Sequence, residues 1–226
     1  MKQPSLSTLL SFNAGYVDTA GFLALHGLFT AHVTGNFVTL GAALVQGSGG
    51  TIAKLVALPV FCVVVIAARL FHYALASRGV AVLRAILLLK TVLLFIGAAL
   101  AWYFGPFADA DSTWAIATGL ILIAAMAVQN AAQRVHLAKM PPTTLMTGTT
   151  TQIMLDLADK LHGVDGEQKA VIDQRLSRMA VAVGTFALGC AAGAIFYRLF
   201  DVKCFALLPL VALFAYRHRD VAADIA

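Results

Sequence analysis

Of the 226 residues, 60% are hydrophobic and 12% charged, and the mean hydropathy is +0.85. Such a composition excludes a soluble domain, because so few polar groups cannot cover a water-facing surface; the solvent must be lipid. The net charge of +5 comes from bases scattered singly over the loops, with no arginine-rich stripe to track a phosphate backbone, so no nucleic-acid partner is expected.

A hydrocarbon core of about 30 Å takes about 20 helical residues, and the chain offers about six such stretches. The first predicted helix covers residues 6–28. It carries Asn13 and Asp18, unlike the purely apolar centre of a secretory signal, and is expected to be retained. A short apolar segment, 34–44, begins Thr-Gly-Asn and ends in a Gly/Ser-rich loop, 47–50. Helices over 52–76 and 80–104 follow, joined by the tight turn Ser77-Arg78-Gly79. The breaker 105–111 leads into a fourth helix, 113–135.

After Pro141 and Pro142 comes a second short segment, 147–157, again opening on Thr-Gly, and then a charged stretch to about residue 178 that reads as the one substantial soluble loop. The fifth helix, 179–197, carries Gly189 and Gly193 in a GCAAG spacing that lets another helix approach closely, either within the chain or from a second copy. The sixth, 202–216, is short and contains Pro209.

Suppose that both Thr-Gly segments dip in and return. Twelve of the sixteen Lys and Arg residues then lie on one side, three (Lys54, Arg198, Lys203) on the other, and Lys90 inside the third helix, free to snorkel toward Arg84. By the positive-inside rule both termini are cytoplasmic. Full crossing by both segments would make eight spans and is disfavoured by that charge bias.

Two stretches share an order of features. Asp18-Thr19 matches Gln129-Asn130, and Thr34-Gly35-Asn36 matches Thr147-Gly148-Thr149, with two extra residues where the prolines lie. The expected architecture is therefore an all-α membrane protein, a single domain over 1–226 in two inverted-topology halves, 1–104 and 113–226. Each half has three helices plus one broken or re-entrant helix.

At these residues the sequence resembles the YoaK-like family of bacterial inner-membrane proteins, catalogued as a domain of unknown function. The likeness rests on GYVDTAGF, AHVTGN, the later QN and TTLMTG, and runs over essentially the whole chain. It implies a polytopic protein of the cytoplasmic membrane for which transport is a reasonable suspicion.

Asp18 falls near mid-membrane, where an unpaired charge costs about 2.5 kcal/mol or more; it is either a coupling group or a hydrogen-bonded packing residue. Asn13, Gln129 and Asn130 should face the interior, lining a cavity or joining helices. Thr34, Gly35 and Asn36, with Thr147, Gly148 and Thr149, either cap short helices or present N–H groups to an anion. His26 and His32 lie six apart, and no histidine, cysteine or carboxylate spacing specifies a metal, a cofactor or a nucleophile. Cys62, Cys190 and Cys204 read as packing residues, and no enzyme is expected.

The leading expectation is a small secondary transporter of a small solute, an anion among those that fit, proton-coupled and working by alternating access, with substrate between the Thr-Gly turns. A passive channel and a structural or regulatory subunit are the alternatives. The expected partners are the lipid bilayer and a small-molecule or ion substrate.

Overall fold

The computed structural model describes residues 4–144 and 146–218; Lys2, Arg219 and both chain ends lie outside the described residues. Eight α-helices appear among them: α1 Leu6–Ala24, α2 Asn36–Gln46, α3 Thr51–Ala76, α4 Val82–Phe104, α5 Thr113–His136, α6 Met146–His162, α7 Gly166–Phe200 and α8 Leu207–Tyr216. Short 3-10 turns at Val33–Gly35 and Asp201–Ala206 lead into α2 and α8. Ser5 and Ser112 start α1 and α5 by accepting the N–H of Thr8 and Ala115, at 3.2 and 3.3 Å.

Four stretches, Thr51–Ala76, Val82–Phe104, Thr113–His136 and Gly166–Tyr216, are long and apolar enough to cross a membrane. The first helix is not among them, because its inner faces carry buried Ser7, Ser11, Asn13 and Asp18. It does not need lipid-grade hydrophobicity: α7, α8 and α5 pack around it, and its polar groups meet protein. The outer helices meet lipid instead, with Val63, Ile66 and Leu70 exposed on α3, Phe95 and Trp102 on α4, and Leu188, Ile195 and Leu199 on α7.

Three expected boundaries move. The first helix stops at Ala24 rather than residue 28, because His26 (φ +53°) and Gly27 (φ +86°) turn the chain through left-handed backbone. The charged stretch expected as a loop is mostly helix: α6 runs to His162, and α7 starts at Gly166 and continues unbroken for 35 residues into the apolar part. The last helix begins as a 3-10 turn, leaving α8 only 10 residues.

The ends of the bundle are identified by contacts. At one end Arg84 Nε donates to Tyr216 Oη (3.0 Å), His218 Nε2 lies 2.9 Å from the Pro4 carbonyl and His72 Nδ1 lies 3.2 Å from His136 Nε2. Also at this end, Ser7 Oγ donates to the Pro141 carbonyl at 3.3 Å. At the other end His26 Nε2 lies 2.8 Å from the Phe107 carbonyl, and Gly50 N donates to Asp111 Oδ2 at 2.9 Å. Both ends of segment 26–50 thus meet the same loop.

The closest helix pair is α1 with α7. A Cβ added at Gly189 would lie 2.1 Å from the Phe12 carbonyl oxygen, one at Gly15 would lie 2.2 Å from that of Phe186, and one at Gly193 would lie 3.0 Å from that of Tyr16. The two backbones touch, and only glycine permits it. This corrects the dimer reading of GCAAG: the face of Gly189 and Gly193 is filled by α1 of the same chain.

Replacing a helical glycine with alanine ordinarily stabilises by about 0.5–1 kcal/mol. Gly184, with nothing within 4 Å of an added Cβ, should behave that way. Gly189→Ala should instead destabilise by about 1–3 kcal/mol. Thermal unfolding of both variants in detergent checks the opposite signs.

Candidate functional site

Where α1 ends, the chain turns back into the bundle without helical hydrogen bonds, and its freed N–H groups need acceptors that lipid cannot supply. Asp18, 5% exposed on α1, provides them. Its Oδ1 accepts the N–H of Thr30 (2.8 Å) and Ala31 (2.7 Å) and the Thr30 hydroxyl (3.3 Å). Its Oδ2 lies 2.6 Å from His32 Nδ1. Asn36 closes the same turn, its Oδ1 accepting from Phe29 N and its Nδ2 donating to Phe29 O, both at 2.8 Å. Gly35 lets the Phe29 ring lie against the backbone, 2.9 Å from where a Cβ would sit. Thr34 is exposed beside it.

The chain leaving α5 is held in a parallel way. Gln129 Nε2 donates to Thr143 Oγ1 (2.9 Å) and to the Leu10 carbonyl of α1 (3.1 Å). Asn130 Oδ1 accepts the Thr144 hydroxyl at 2.8 Å. The tethers span 12 residues from Asp18 to Thr30 and 14 from Gln129 to Thr143, a difference equal to the two extra residues at Pro141 and Pro142. In the second turn Thr147 and Gly148 are exposed and Thr149 is buried, as Thr34 is exposed and Asn36 buried in the first. Asn13 joins helices, its Nδ2 donating to the Leu208 carbonyl of α8 at 3.2 Å.

Three clefts adjoin these turns. The first, about 560 Å³, lies between Asp18, Thr19, Phe22, His32, Thr34 and Gly35 and the α7 residues Phe186 and Cys190. The second, about 410 Å³, is lined by His32 and Thr34, by Phe61 and Arg69 of α3, and by Asn130 and Arg134 of α5. The third, about 490 Å³, has Asn130 and Arg134 on one wall, Lys139 and Thr144 on another, and Gln174, Arg175 and Arg178 of α7 opposite. His32 and Thr34 border the first and second; Asn130 and Arg134 border the second and third. Thr147, Gly148 and Thr149 border none of the three, so the two Thr-Gly turns do not face each other across one of these clefts.

The sequence profile described as "Protein of unknown function (DUF1275)" matches residues 6–216. The chain belongs to this family. It is 29% identical over 181 residues to the UPF0700 transmembrane protein YoaK of Bacillus subtilis (strain 168), covering 78% of this chain and 77% of that protein. No solved structure matches.

Sequence reasoning missed three residues of this candidate site. His32 was judged only for metal spacing, although it stands two residues before Thr34, and Arg69 and Arg134 entered only a charge count. Lys90 also departs from expectation: α4 turns it inward, 1% exposed, and its Nζ has no hydrogen-bond partner among the described residues. The same is true of Ser11 Oγ, Asn13 Oδ1 and Gln129 Oε1.

Beside the third cleft, α6 is clamped to α7. Asp156 accepts from Arg175 Nε (2.7 Å) and Nη2 (2.5 Å) and from Gln152 Nε2 (2.8 Å), and Lys160 pairs with Asp173. The Arg175 guanidinium holds the Asp156 carboxyl below its ordinary value of 3.8. A lowered native value means that the pair's contribution is full above the unfolded value and is lost as pH falls through the native one. At neutral pH Asp156→Asn should therefore melt below the wild type. Thermal scans in detergent from about pH 7 to about pH 3 should show that gap closing on the acid side.

Proposed function

We propose that this chain is a small secondary transporter of the bacterial cytoplasmic membrane. It moves a small solute by alternating access, uses proton coupling at Asp18 and His32, and carries out no covalent chemistry. The observation that carries the reading is the series of three neighbouring clefts, the first two sharing His32 and Thr34 as lining and the last two Asn130 and Arg134.

The packing supports two related halves. Exchange α1 with α5, α2 with α6, α3 with α7, and α4 with α8. The pair α1–α7 then becomes α5–α3, α4–α5 becomes α8–α1, and α2–α3 becomes α6–α7; every one of these pairs is in contact. The reading takes α1, α3, α4, α5, α7 and α8 as six passes and α2 and α6 as returning segments. The end holding Arg69, Arg84, Arg134 and Lys139 is then cytoplasmic, as are both termini. Inverted halves of this kind place a site at their interface and open it alternately to each side.

A second reading has its own observation. Oδ1 of Asp18 already accepts three hydrogen bonds from the 30–31 turn, which suits a strap that only fixes the chain. Protein reconstituted in liposomes and screened with small carboxylates and phosphates separates these readings. For a coupled transporter, flux saturates and follows an imposed pH gradient. Asp18→Asn and His32→Gln should each abolish the gradient dependence while leaving exchange down a concentration gradient. Unsaturating flux indifferent to pH would mean a channel, and no flux in folded protein would favour the strap.

A further inference from the structure

We propose that the third cleft, between α5, the 137–144 connection and the first half of α7, binds a small multivalent oxyanion, a carboxylate or phosphate group. As the cytoplasmic mouth of a solute path this deepens, and rests on, the transport reading; as a binding site it stands on its own geometry.

Four cations line the cleft, Arg134, Lys139, Arg175 and Arg178, and no carboxylate lines it. Arg175 is engaged by Asp156 from outside the lining. The side chains of Arg134, Lys139 and Arg178 make no hydrogen bond or ion pair among the described residues. The positive-inside bias alone accounts for bases at this end of the bundle, but not for their convergence on one cleft. What sets this cleft apart is that four bases converge on one concavity, and the one carboxylate that meets any of them, Asp156, lies outside its lining.

A cleft lined by one sign of charge between low-dielectric walls concentrates counter-ions, and arginine forks match the oxygens of carboxylate and phosphate. The amides of Gln174 and Asn130 and the Thr144 hydroxyl add neutral donors, and about 490 Å³ suits a metabolite-sized ligand. Three unpaired cations call for a ligand of more than one negative charge. The cleft also has a neighbour. Arg134 and Asn130, one turn apart on α5, border the second cleft as well, so an anion held here lies next to the space that reaches His32 and Thr34.

The test is binding to the purified full-length chain in uncharged detergent, read by calorimetry and thermal shift with citrate and with inorganic phosphate, against sodium chloride at matched ionic strength. A saturable response to citrate or phosphate, absent with chloride, is expected. Arg134→Gln with Arg178→Gln should weaken it at least about tenfold, whereas Arg198→Gln with Lys203→Gln, at the other end, should leave it unchanged. If the double variant does not fold, Lys139→Gln alone, on the exposed connection, should still weaken binding. A retained phospholipid seen by native mass spectrometry and lost in the Arg134/Arg178 variant would assign the same site to a headgroup. Identical responses in both double variants, or no saturable response together with no retained lipid, would overturn the proposal. Binding without solute movement in liposomes would keep the site and remove the transporter; solute movement without anion binding would do the reverse.

Discussion

A chain that turns back into a bundle without helical hydrogen bonds has to satisfy the backbone groups it frees, and in this protein one carboxylate does most of that work. Asp18 gathers two N–H groups and a hydroxyl of the 30–31 turn on one oxygen and His32 on the other. Everything downstream of α1 depends on it: the direction of the return into the bundle, the seat of Asn36 on Phe29 and the placing of Thr34 at two clefts. After α5 the same task falls to neutral amides, Gln129 and Asn130, working through threonine hydroxyls.

The second constraint is the backbone contact of α1 with α7. Gly15, Gly189 and Gly193 bring the two helices together without side chains between them, so α7 shields one side of α1 along much of its length. Shielded by α7, α5 and α8, α1 is free to carry Ser11, Asn13 and Asp18, residues that would be costly on a lipid-facing helix. The hydrophobic surface appears instead on α3, α4 and α7, whose outward residues are large and aliphatic or aromatic.

Much of this was legible in the sequence, for identifiable reasons. Lipid-facing helices announce themselves by composition, so α3, α4 and α5 fall within a few residues of expectation. The paired order of polar couple, link and Thr-Gly turn singled out Asp18, Gln129 and Asn130 without showing what they bind, and it suggested that the turns themselves would meet. Hydropathy distinguishes lipid from water and says nothing of helix from loop; hence the charged run before Met179, rich in good helix formers and free of breakers after Gly166, was mistaken for a loop. The direction of a side chain around its helix was beyond reach for Lys90, since α4 is apolar on all sides. The role of His32 depended on a twelve-to-fourteen-residue reach back to Asp18 that no local spacing rule contains.

The inward lysine also bears on how the protein is made. Leucine, isoleucine and valine near a helix centre each favour insertion by about 0.3–0.6 kcal/mol, and a lysine opposes it by about 2.5–3.5. The apolar run of VLRAILLLKTVLLFIGAALAWYF therefore carries Lys90 into the bilayer on a solitary helix, with its amine led along the flexible stem toward the headgroups. In the finished bundle Leu87 and Leu94, on either side of it, pack with Val128 and Met126 of α5 and with Ala215 and Leu208 of α8. Since α8 is synthesised long after α4, the amine can be enclosed only late, once that helix arrives. Until α8 docks, that face of α4 lacks the partners that it has in the bundle.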